Sequence, residues 1–428
     1  MTAFGQIFIL ILQNILWLLA NPLYWVVLLL VVWQHRRIQQ TSQRLFAEPA
    51  DSIWPAVLAA VFYGFIGGIL GSLLMLLVGV SIWEVGIAYL WVIAMVLMLI
   101  RQRFLCFSYS GGLIAISNLL FGFPKVSIPH LMGLVAILHL VEAWLIYVTG
   151  PLFPVPVYVK TREGQIVGGY NLQKFWPLPF VAFVALQMPN SDILIETIKM
   201  PEWWPLLQTE IASGSGELVY AMAPVLAALG YGDIAVSQDP RTKTRRSALE
   251  LAGYSLILLG LSILASHYPS LAFLAAFYGP LGHEALIIIG QKRELTRSPR
   301  YVRPFQGLML LHVKRNSPFW KAGVKSGDII LRVNGQEVDE YSDLLVILQE
   351  TGSRAELEYL SGQKRILKRC LIQGLPNIRL EGSQWLEGQQ LFLGIIPVPQ
   401  GQYGSHLIFS GSVSLLKRCW NKLSRKMK

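Results

Sequence analysis

Charge is what this chain has least of. Asp, Glu, Lys and Arg make up 14% of its 428 residues, where soluble globular domains carry about a quarter. That shortfall excludes a wholly soluble protein. Cysteine is scarce too: Cys106, Cys370 and Cys419 are the three present, too few and too scattered for a disulfide framework or a Cys-x-x-Cys zinc site. A reduced, cytosol-facing soluble part is expected. The seven histidines form no His-Glu-x-x-His pair, and no basic stretch precedes the first apolar run, so no cleaved signal peptide is expected.

What is abundant is apolar length. Hydrophobic residues are 54% of the chain and the mean hydropathy is +0.49. A bilayer crossing takes about 20 mostly apolar residues. Candidate spans are 13–33, 56–80, 85–100, 104–122, 130–150, 177–196, 217–237, 249–266 and 271–290. The sixth and seventh are the weakest, broken by proline and polar residues. Asn21-Pro22 interrupts the first run, so residues 4–20 read as a separate interfacial helix. Gly64/Gly68 and Gly67/Gly71 are four apart in one span, a spacing that brings backbones close within the chain or between two copies of it.

The net charge of +11 suggests nucleic acid, but its distribution excludes it. Arg36, Arg37 and Arg44 follow the first span; Arg101 and Arg103, then Lys160, Arg162 and Lys174, then Arg241 to Arg246, then Lys292 and Arg293 recur every second loop. Alternate loops hold few cations. By the positive-inside rule the basic loops are cytoplasmic, and so is the C-terminal part.

Ionisable residues inside spans carry functional hypotheses by default. His139 and Glu142 share one helix face and read as a proton relay or half of a metal site; a hydrogen-bonded pair joining helices is the favoured reading. His283-Glu284 opens a zinc-protease motif, but Ile287 stands where the second histidine ligand would be. No complete catalytic motif is found, so no enzyme activity, metal or cofactor is assigned.

After about residue 304 long apolar runs give way to short alternating ones. Gly307–Val313 reads as a strand, Asn316-Ser317-Pro318 as a turn, and Ile329–Val333 as a buried strand closed by Asn334-Gly335. Ser342–Glu350 is a helix apolar on one face. The series Ser317, Pro318, Ala322, Gly323, Gly327, Asp328, Asn334, Gly335 resembles the core signature of bacterial PDZ domains. That resemblance implies a small α+β module at 300–372 that captures a peptide as an added strand. Its carboxylate loop is expected at Phe305-Gln306-Gly307-Leu308, where Gln306 departs from the usual hydrophobic-Gly-hydrophobic pattern. A free C-terminus and an internal peptide therefore both stay open as ligands. Leu308, Leu310, Leu345 and Leu348 are candidates for the groove or the core.

The extension 373–428 ends in Val413–Lys428, where cations alternate with Leu416, Trp420 and Leu423 at helical spacing. This reads as a basic amphipathic helix on anionic lipid. The expected layout is thus an α-helical polytopic membrane domain of about 7–9 spans over 1–291, a PDZ domain and that helix. The layout, with Asn21-Pro22-Leu23-Tyr24-Trp25, Gly232-Asp233-Ile234-Ala235 and Phe277–Glu284, resembles the MinJ-like membrane proteins of Gram-positive bacteria. The resemblance implies a non-enzymatic adaptor at the plasma membrane in division-site placement, with DivIVA-like and MinD-like proteins as partners. The competing reading is a regulator or substrate-presenting component of membrane proteolysis.

Overall fold

The computed structural model describes residues 3–46, 52–100, 102–161, 163–188, 198–208, 217–362, 365–376 and 393–399. The basic helix expected at 413–428, with Cys419, lies outside the described residues. Among the described residues nine α-helices and five strands precede residue 297. In order they are α1 (Ala3–Leu19), α2 (Pro22–Phe46), α3 (Trp54–Val78), α4 (Ile82–Val85), α5 (Ile87–Ile100), α6 (Phe107–Phe121), α7 (Ile128–Thr149), β1 (Val155–Lys160), β2 (Ile166–Asn171), β3 (Lys174–Met188), β4 (Glu217–Tyr231), β5 (Ile234–Ala235), α8 (Pro240–His267) and α9 (Ala272–Thr296).

Among the described residues four helices are long and apolar enough to cross a membrane: α3, α7, α8, and α9 with the turn before it. A fifth crossing follows if the α1–α2 pair, bent by 71°, counts as one broken span. Proline fixes its own φ and cannot donate, so a helix stops before it; Asn21 then caps the restart, its Oδ1 accepting from the Leu23 N–H. Helices α5 and α6 are apolar but have only 14 and 15 residues. Against the expected seven to nine spans, the described residues thus offer four or five by length and composition.

The largest correction falls on the expected spans at 177–196 and 217–237. Their described residues belong to β3 and β4, a long antiparallel hairpin paired from Lys174↔Tyr231 to Met188↔Glu217. Proline decides this. A helix interior loses about 3 kcal/mol or more at each proline, whereas a strand tolerates one wherever no ladder bond is needed. The Val181 N–H points out of the hairpin to Ser72 Oγ, 2.8 Å away, and the Ala185 N–H to Ser81 Oγ at 3.2 Å. Alternation puts Pro177 and Pro179 on the same outward edge as these two residues. The edge of β3 that meets α3 thus finds serine acceptors at Val181 and Ala185 and has no donors at its prolines. Its carbonyls sit over glycine: a Cβ on Gly64 would fall 2.2 Å from the Pro177 oxygen. The glycine pairs on α3 therefore serve a close approach inside the chain.

Beyond residue 304 follow β6 (Leu308–Val313), α10 (Pro318–Lys321), β7 (Ile329–Val333), β8 (Gln336–Glu337), α11 (Tyr341–Thr351), β9 (Arg354–Leu360), β10 (Leu367–Gln373) and β11 (Ile395–Pro397). The main sheet runs β10-β9-β7-β6-β11, with β8 paired to β7. This module is docked on the small sheet β1-β2-β5. Tyr170, Leu172, Ala235 and Tyr301 share one buried cluster with Leu311, Ile396 and Val398. The Tyr170 hydroxyl donates to the Leu311 carbonyl, and Tyr158 donates to the Pro397 carbonyl at 3.0 Å. Glu294, at the end of α9, accepts from the N–H groups of Val236 and Ser237 at 2.7 and 2.6 Å. The last helix and the docking sheet are thereby fixed to each other.

Candidate functional site

The signature residues build the frame of the C-terminal module. Ser317 caps α10, its Oγ accepting from the Trp320 N–H at 3.2 Å. Pro318 opens that helix and Ala322 ends it, followed by Gly323 at φ +89°. Gly327 also needs positive φ, at +91°. Asp328 is buried and accepts from the N–H groups of Lys325 and Gly362, at 2.8 and 2.9 Å. Asn334 and Gly335, at φ +50° and +82°, form the tight turn between β7 and β8. Each of these residues serves a cap, a turn or a backbone contact within the module.

The expected groove is different. Phe305 is fully exposed, and the Gly307 N–H is taken by Asp339 Oδ1 at 2.6 Å. The Gly307 N–H of that turn is therefore engaged within the domain. Leu308, Leu310, Leu345 and Leu348 all lie in the buried core of the module. The edge of β6 that would receive a peptide is already covered by β11, with Ile395 opposite Val313 and Ile396 opposite His312.

Among the described residues the outermost strand on this side is therefore β11, and it carries the pattern missing at 305–308. Leu393-Gly394-Ile395 is hydrophobic-Gly-hydrophobic, with Gly394 at φ +80° where a Cβ would fall 2.4 Å from that of Ser317. The Gly394 carbonyl accepts from the Lys314 N–H, and the Val398 N–H donates to the Met309 carbonyl. These two bonds fix the alternation, so the N–H and C=O of Ile395 face away from β6. The Leu393 backbone hydrogen-bonds Tyr341, the first residue of α11. Leu393, Ile395, Tyr341, Leu345 and Leu348 belong to one buried apolar cluster, in which Tyr341 and Leu345, each 8% exposed, are the most accessible of the five. Sequence reasoning missed it because the strand follows the rest of the module by more than twenty residues; the Leu-Gly-Ile triplet was the available signal. At the opposite edge of the sheet, Leu367 and Leu371 of β10 are exposed.

The ionisable residues of the apolar helices divide in an unexpected way. His139 of α7 and His283 of α9, read separately in the sequence, have ring centroids 5.1 Å apart. Between them lies Cys106, at the N-cap of α6, with its Sγ 3.0 Å from His139 Nε2 and 3.6 Å from His283 Nε2. Glu284 faces elsewhere, accepting from Arg103 at 2.9 Å and from the Tyr109 hydroxyl at 2.5 Å. Glu142 makes no hydrogen bond to His139 but lies within Coulombic range of Cys106.

Comparison with known proteins agrees with this architecture. A PDZ-domain family model matches residues 311–360. Over 375 residues, covering 83% of this chain and 90% of its relative, the sequence is 24% identical to the cell division topological determinant MinJ of Bacillus subtilis (strain 168). The chain carries a PDZ domain behind a set of apolar helices and is, along most of its length, similar to MinJ.

Proposed function

We propose that this protein is a membrane-anchored adaptor that recruits division proteins to the cytoplasmic face of the plasma membrane. The observation that carries the reading is a PDZ domain clamped to the end of an apolar helical body through Tyr170, Tyr301 and Ile396. Such a module is held close to the bilayer, where it meets peptides of membrane-associated partners. A peptide strand adds beside β11, pairing with the outward backbone groups of Ile395 and setting its side chains against Tyr341 and Leu345. Similarity to a division topological determinant supports division-site placement as the process, and DivIVA-like and MinD-like proteins as the class of partner.

A functional fluorescent fusion in the native cell tests this. Concentration at septa or poles, with filaments or misplaced septa on deletion, is the expected result. Even membrane staining with normal division after deletion would refute it.

A further inference from the structure

Cys106, His139 and His283 are 33 and 144 residues apart in sequence and come from three different helices. Their three ligand-type atoms nevertheless lie within 4.8 Å of one another, the one such group among the described residues. Nothing in peptide capture uses them. The geometry of each side chain points inward to a common centre. His139 Nδ1 is 2.7 Å from the Val135 carbonyl, which in a neutral ring assigns the proton to Nδ1 and leaves the Nε2 lone pair facing Cys106. The Ser108 N–H at the start of α6 lies 3.4 Å from the Cys106 sulfur and holds it at the helix N-terminus. His283 turns its Nε2 to the same sulfur, while its buried Nδ1 has no hydrogen-bond partner.

One thiol hydrogen cannot serve two imidazole acceptors, whereas a metal ion serves all three atoms. Zinc bonds of about 2.3 Å to sulfur and about 2.0–2.1 Å to nitrogen set tetrahedral S···N separations near 3.6 Å. The two separations are 3.6 and 3.0 Å, so binding asks for an adjustment of about half an ångström. The surroundings are braced for it: the Tyr254 ring packs on both imidazoles. Its hydroxyl is 2.9 Å from Ser108 Oγ and 2.8 Å from the Gly279 carbonyl.

We propose that Cys106, His139 and His283 bind a single zinc-class divalent ion that ties α6, α7 and α9 together. Binding replaces the Cys106 S–H by a sulfur–metal bond and releases the proton to solvent. The fourth position is open to water. This assigns a metal where the sequence alone assigned none.

The test uses the full chain in detergent or nanodiscs, with Cys370 and Cys419 replaced by serine so that Cys106 is the sole thiol. Added zinc is expected to slow alkylation of Cys106 at least tenfold, and chelator to restore the rate. Added cobalt(II) is expected to give a thiolate charge-transfer absorption that disappears in Cys106→Ser and weakens in His283→Gln. Alkylation at one rate with and without zinc overturns the proposal without any ligand substitution. Equal metal content in the parent, Cys106→Ser and His283→Gln proteins overturns it as well.

Discussion

Gly68 lies so close to Pro179 that a Cβ built on the glycine falls 1.9 Å from the Pro179 carbonyl oxygen. No side chain fits there without moving β3 off α3. Gly68→Ala is therefore expected to cost at least about 1–3 kcal/mol, the usual range for overpacking. Gly71 is the control on the same helix, since its added Cβ would make ordinary contact with Val141 at 3.4 Å. Thermal unfolding in detergent should show a clear loss for Gly68→Ala and little change for Gly71→Ala.

Ser72 bridges the same interface, donating to the Gly68 carbonyl at 2.7 Å and accepting from Val181 at 2.8 Å. Ser72→Ala leaves the Val181 N–H buried without an acceptor, at a cost of about 1–3 kcal/mol. Hydrogen exchange at Val181 is the direct readout: the amide should be protected in the parent and exchange faster in the variant.

His312 makes the PDZ domain sensitive to acid. Burial, and then the charge of Lys314, pull its imidazole down to about 4, from about 6.5 in an open chain. The unfolded chain therefore takes up a proton below about 6.5 that the folded domain refuses until about 4. Its contribution to stability is complete above the higher value and is lost as pH falls toward the lower one. Denaturant midpoints measured at pH 7 and pH 5 should differ more for the parent than for His312→Gln.

Tyr170 joins the two parts of the molecule through its bond to the Leu311 carbonyl. Tyr170→Phe keeps the ring contacts with Tyr301 and His312 and removes that bond together with the hydroxyl's contact to Ser326, each worth about 0.5–1.5 kcal/mol. Amide exchange should rise at the docking face, in β11 and β2, and stay unchanged in β7 at the centre of the domain.

Local chemistry made part of this fold legible. Asn334-Gly335 announces its turn because both residues tolerate positive φ, and Ser317-Pro318 announces a helix start because one caps and the other needs no donor. The β3–β4 hairpin was hidden because its composition is that of a membrane span. Only the period-two spacing of Pro177 and Pro179 marked it as a strand. The cluster of Cys106 with two histidines was invisible for another reason: its members share no local pattern, and convergence of three helices creates it. The Leu393-Gly394-Ile395 strand was missed because the sheet closes on a segment late in the chain, while the expected order of elements placed it first.

The central claim, that partner peptides are captured between β11 and α11, is tested most directly by site-specific crosslinking. A photoactivatable leucine analogue at Leu345 leaves the core almost unaltered, and one at Leu371 probes the exposed opposite edge of the sheet. In the native cell the account predicts covalent capture of a division protein from position 345 and none from 371. Capture from 371 alone, or from neither position, would contradict it.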